Sequence, residues 1–113
     1  MAKYEATLTG DFDALLHKLD SGILSGSVSA SREAGSDYQG GGVRCAVRVY
    51  ERYSMAGSNR LSMNVTLLGH GNELFVSVIT AGGSQAMFFK INTWGEVSFL
   101  DCAVRIIKDY QRM

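Results

Sequence analysis

Arg44, Arg48 and Arg52 recur at every fourth residue, and Tyr50 sits between the last two. Val43, Cys45, Val47 and Val49 alternate with them, so a strand here would carry the two sets on opposite sides. Same-side positions two residues apart stand about 7 Å from each other, and Arg44 and Arg48 about twice that. Guanidinium groups so placed can grip a carboxylate or a phosphate through paired N–H donors. The sequence predicts that the valine set takes the core, since three unpaired buried guanidiniums would each cost several kcal/mol. Arg44, Arg48, Tyr50 and Arg52 then belong to an open sheet face. Phe75, Ile79 and Ala46 join that face if Leu74, Val76 and Val78 point inward. Large apolar groups beside arginine and tyrosine match the composition of contact surfaces. The expected partner is another copy of the chain or a small anionic ligand. The competing reading is a solvated face whose arginines pair with Glu73 or Glu5, charge on exposed strands serving to discourage edge pairing.

Other residues with chemical potential point to less. His17 falls off the apolar stripe of its segment and His70 lies between glycines, with no third ligand to make a metal site. Cys45 and Cys102 show no metal or redox spacing. Both sit in apolar patterns, where buried, reduced thiols are inert. Gly40-Gly41-Gly42 and Gly82-Gly83 match neither a P-loop nor a dinucleotide fingerprint and read as turns. No carboxylate pair is spaced for hydrolysis. The expectation is no catalytic residue, no cofactor and no metal.

The chain of 113 residues has room for one domain with one core. Its 11 basic and 11 acidic residues cancel, which argues against nucleic acid or an anionic membrane as partner. No apolar run resembles a signal peptide or a membrane span, so a cytoplasmic location is expected.

The elements follow from periodicity. Tyr4, Ala6 and Leu8 alternate with Lys3, Glu5 and Thr7, a half-buried strand. Phe12, Leu15, Leu16, Leu19, Ile23 and Leu24 then fall on one helical stripe over 11–24, with Thr9 or Asp11 as cap. Ser27–Ser31 reads as a second strand and Glu33–Gly42 as a turn-rich stretch. The arginine segment is the third strand. Leu61, Met63, Val65 and Leu67 mark the fourth, and Leu74, Val76 and Val78 the fifth, joined through Gly69-His70-Gly71-Asn72. Residues 85–91 are too short to classify. Thr93 and Glu96 fit a capping box before a helix over 94–111, with the stripe Val97, Leu100, Val104 and Ile107 widened by Phe99, Ala103, Ile106 and Tyr110.

Two apolar helix stripes and one apolar sheet face must bury each other, which predicts a two-layer α+β domain. Its antiparallel sheet of about five strands carries both helices on one face, in the order β-α-β-β-β-β-α. This order resembles the fold of TATA-box-binding-protein repeats and of helix-grip ligand carriers, a resemblance that brings no functional motif. Ala81-Gly82-Gly83-Ser84 followed by Phe88–Glu96 resembles a small bacterial protein family of unknown function. The leading expectation is a non-enzymatic binding or interaction domain, homo-oligomeric through its open sheet face. The alternatives are a small-ligand carrier, with Met63, Met87, Phe88 and Phe89 lining a cavity under the long helix, and a small enzyme with an Arg/Tyr/Ser surface site.

Overall fold

The computed structural model describes residues 1–54, 59–82 and 89–112, with the backbone alone at 54, 59 and 89–94. Along the chain run β1 (Ala2–Thr9), α1 (Phe12–Ser25), β2 (Ser31–Gly40), β3 (Val43–Ser54), β4 (Asn59–His70), β5 (Glu73–Gly82) and α2 (Phe89–Gln111). The strands form one antiparallel sheet in the order β1-β5-β4-β3-β2. β2 through β5 make a meander, and α1 carries the chain from the β1 edge so that β1 closes against β5. This is the α+β architecture expected. No described helix is long and apolar enough to cross a membrane.

Both helices lie on one side. α2 covers β5, β1 and β4, and α1 packs beside it and reaches β4. Between them they seal Leu61, Met63, Val65 and Leu67 of β4 and Leu74, Val76 and Val78 of β5. Tyr4, Ala6 and Leu8 of β1 complete that face, half-buried. α1 contributes Phe12, Leu15, Leu19 and Ile23, and the side chain of Asp11 caps it by accepting the Ala14 N–H. Gly22 lets the helices approach closely, since a Cβ there would lie 2.5 Å from the Ile106 side chain. The β4–β5 hairpin turns through Gly71 at φ 61°, a conformation that side chains with a Cβ resist.

Three expectations about the elements are corrected. Residues 27–30 are not a strand; β2 begins at Ser31 and uses the stretch read as turns. As an edge strand with most residues exposed on both sides, β2 is held by its ladder to β3 and needs no apolar alternation. The long helix begins at Phe89, which places Thr93 inside it, where it cannot act as an N-cap. Glu96 is instead buried, accepting the Gly82 N–H at 2.6 Å and lying 2.5 Å from the Met1 ammonium. The inward stripe of α2 is Phe99, Leu100, Ala103 and Ile107, while Val97 is 43% exposed. Residues 56–58 of the expected turn and the 85–88 segment, with Met87 and Phe88, lie outside the described residues, as does the Phe89 side chain, while Asn59 opens β4. Met63 packs in the core.

Candidate functional site

The register of β3 reverses the expected faces. Tyr50 pairs with Met63, Arg48 with Val65 and Ala46 with Leu67, all inward residues of β4. Arg44, Arg48, Tyr50 and Arg52 therefore point to the helix side, and Tyr50 and Ala46 are fully buried there. Val43, Cys45, Val47 and Val49 occupy the open face. Helix width supplies the reason. Two packed helices span about 20 Å, or about four strands, so the inner face of β3 meets the polar flank of α1 at Arg44 and Tyr50, and α2 at Arg52. Arg44 and Arg48 there find acids on α1 and β2, and Arg52 rests against α2.

Each contact is specific. Arg44 holds Asp13 through two N–H···O bonds of 2.9 Å and lies over the Phe12 ring at 4.2 Å. The bond from Arg44 to Asp13 draws that carboxyl below its ordinary value. Arg48 donates to Asp37 at 3.0 Å and to the carbonyl oxygens of Val47 and Ser36. The Tyr50 hydroxyl donates to Asp20 at 2.7 Å, and Arg32 binds the other oxygen of that carboxylate at 2.7 Å. Burial works to raise the Asp20 carboxyl, but the bonds from Tyr50 and Arg32 outweigh it and hold the carboxyl below its ordinary value. Burial, reinforced by the Asp20 charge, pushes the Tyr50 phenol well above its usual range. Arg52 stacks on Phe99 at 4.6 Å and donates to the Ser98 hydroxyl at 3.1 Å. Glu5 and Glu73, the expected partners, lie on β1 and β5; Glu5 instead accepts from Ser77.

Phe75 and Ile79 do lie on the open face, separated from the arginines by the sheet itself. Pairing across the strands aligns Tyr38, Cys45, Leu68, Phe75 and Thr7 in one row. The next row runs Ser36, Val47, Thr66, Ser77 and Glu5, and the one beyond runs Ala34, Val49, Asn64, Ile79 and Lys3. Across these rows the outward positions of β3, β4 and β5 are all uncharged. Charge appears at the perimeter: Lys3 and Glu5 on the β1 edge, Glu51 and Arg60 bonded to each other at 2.6 Å, and Glu73 beside the hairpin. Thr66 donates to Asn64 at 3.0 Å, so part of the polar surface is already paired within the face. At one end the face dips into an open concavity of about 470 Å³ bordered by Thr7, Leu68, His70, Glu73 and Phe75.

Sequence reasoning missed Tyr38, Cys45, Val47, Val49 and Leu68 as surface residues, and Asp13, Asp20 and Asp37 as arginine partners. One signal was present: Asp13 and Asp20 are seven residues apart, which puts both on one flank of α1. Both cysteines are free, as expected, but both are half-buried, and Cys45 sits on the open face in the row of Leu68 and Phe75. Among the described residues no group of His, Cys, Asp and Glu is arranged to hold a metal ion. No curated protein matches this chain. The family signature that does match extends over residues 1–111, nearly the whole α+β domain, and the chain belongs to the Family of unknown function (DUF6054).

Proposed function

We propose that this chain is a non-enzymatic interaction domain that pairs with a second copy of itself through the open face of its sheet. One observation carries the reading: the open face has an uncharged, apolar-rich centre and a charged rim. An antiparallel sheet with one solvated face ordinarily alternates apolar inward and polar outward, and β3 does not. A charge-depleted centre inside a polar rim is the anatomy of a protein–protein contact. The face is about 24 Å across five strands and about 27 Å along them, a footprint on the order of 650 Å². That is comparable with the roughly 800 Å² per partner of a stable interface. A second copy suits the charge as well, because a chain with zero net charge does not repel itself. Rim pairs of both signs, such as Lys3 with Glu5 and Arg60 with Glu51, favour no strongly charged partner.

Cys45 reports on this surface directly. In a Cys102→Ser background, a bulky thiol reagent should modify Cys45 readily in dilute protein and progressively more slowly as the protein is concentrated. A labelling rate independent of protein concentration would contradict the reading.

A further inference from the structure

Arg52 differs from the other helix-side arginines of β3. Arg44 and Arg48 each hold a carboxylate at 3.0 Å or less. The guanidinium of Arg52 has no carboxylate within 4.0 Å among the described residues, and these include every Asp and Glu of the chain. Its neighbours are the Phe99 ring and the Ser98 hydroxyl of α2. Burial without a counter-charge pulls its pKa below the ordinary value. A half-buried cation with no carboxylate beside it keeps N–H donors free for an anion that can reach it from solvent.

The surroundings have the chemistry of a receptor. The Ser98 oxygen accepts from Arg52, which leaves the Ser98 proton available to a ligand. The α1–β2 loop borders the same corner. Its Gly26 lies so close to Cys102 that a Cβ there would be 2.7 Å from the thiol sulfur, and its Ser29 hydroxyl oxygen accepts the Tyr53 N–H at 3.1 Å. Strand and helix thus meet at the guanidinium, where Ser98 supplies a hydroxyl group.

We infer that Arg52 and Ser98 form a binding site for a small oxyanion, a phosphate or carboxylate group carried by a small molecule. The guanidinium offers paired N–H donors, Phe99 fixes its plane, and Ser98 adds a third donor. The site lies on the helix side of β3, so its occupancy is independent of any contact on the open face.

The test is a titration of the full chain with inorganic phosphate, with acetate, and with chloride at matched ionic strength. It is followed by the Arg52 side-chain Nε–H and the Ser98 amide in ¹H–¹⁵N spectra. Phosphate or acetate should shift both signals saturably while chloride does not, and whichever of the two saturates identifies the oxyanion class. Arg52→Gln should abolish the saturable shift of the Ser98 amide, and Arg44→Gln, at an arginine that already has its carboxylate, should leave it unchanged. If Arg52→Gln does not fold, Ser98→Ala should weaken binding several-fold, read at the Arg52 signal. Linear shifts with both oxyanions, equal shifts with chloride, or Ser98→Ala binding as tightly as the parent would overturn the assignment.

Discussion

The two faces of the sheet distribute apolar groups and charge in opposite ways. On the helix-covered face the apolar side chains of β4 and β5 are sealed, and the charges line up along β3 at the flank of α1. On the open face the apolar side chains occupy the centre and the charges the rim. β4 shows the contrast in adjacent residues: Leu67 is fully buried under the helices, and Leu68 is 40% exposed on the other side. The difference teaches that alternation in a strand identifies two sides without saying which is the core. That choice falls to the partners waiting on each side, here acids on α1 and β2 for Arg44 and Arg48, the α2 residues Ser98 and Phe99 for Arg52, and no covering layer for the valines.

The largest expected effect separates the two leucines. Leu67→Ala should cost about 2–5 kcal/mol, the range for truncating a sealed leucine. Leu68→Ala, measured on dilute protein by urea unfolding, should cost less than about 0.5 kcal/mol, like other exposed positions. Equal losses at the two sites would erase the contrast.

Tyr50→Phe probes the polar flank and should cost about 1.5–3 kcal/mol, the scale of a hydrogen bond to a charged group. It should also alter the pH dependence. The folded Tyr50 phenol titrates above its ordinary value of 10.0, so an unfolded chain loses this proton first. Its contribution is full below about pH 10 and is lost as pH rises beyond that. Asp20 runs the other way: its depressed carboxyl contributes above its ordinary 3.8, and that contribution fades as pH falls toward the folded value. Tyr50→Phe should flatten the alkaline limb of stability against pH. An unchanged alkaline limb would mean that burial and Asp20 do not hold the Tyr50 phenol above its ordinary value.

The smallest effect is expected at Val97, which the sequence placed on the inward stripe of α2. Val97→Ser should change stability by no more than about 0.5 kcal/mol. A loss of several kcal/mol would restore the original stripe.

Much of the fold was legible because β1, α1 and β4 each carry one dominant apolar set at a single period, and β5 sets Leu74, Val76 and Val78 opposite Phe75, Ser77 and Ile79. β2 was not, because an edge strand exposed on both faces has no apolar set to alternate. In α2, apolar residues cover so much of the circumference that Val97 and Val104 competed with Phe99 and Ala103 for the inward direction beside Leu100 and Ile107. The candidate surface was half legible. Phe75 and Ile79 followed from the unambiguous alternation of β5, but β3 offered two self-consistent sets. Desolvation cost made the arginines look like the outer one. For Arg44 and Arg48 that cost was avoided by Asp13 and Asp37, whose proximity to β3 exists only after α1 and β2 have packed.

Self-association through the open face is tested most directly by the mass of the particle in solution. Sedimentation equilibrium on the unmodified chain should give twice its 12.3 kDa mass at high concentration, dissociating on dilution. Phe75→Glu, which places a charge in the apolar row without touching the helix-side core, should remain at the single-chain mass with its circular dichroism unchanged. A single-chain mass for the unmodified protein at every concentration, or a dimer that Phe75→Glu leaves intact, would contradict the account.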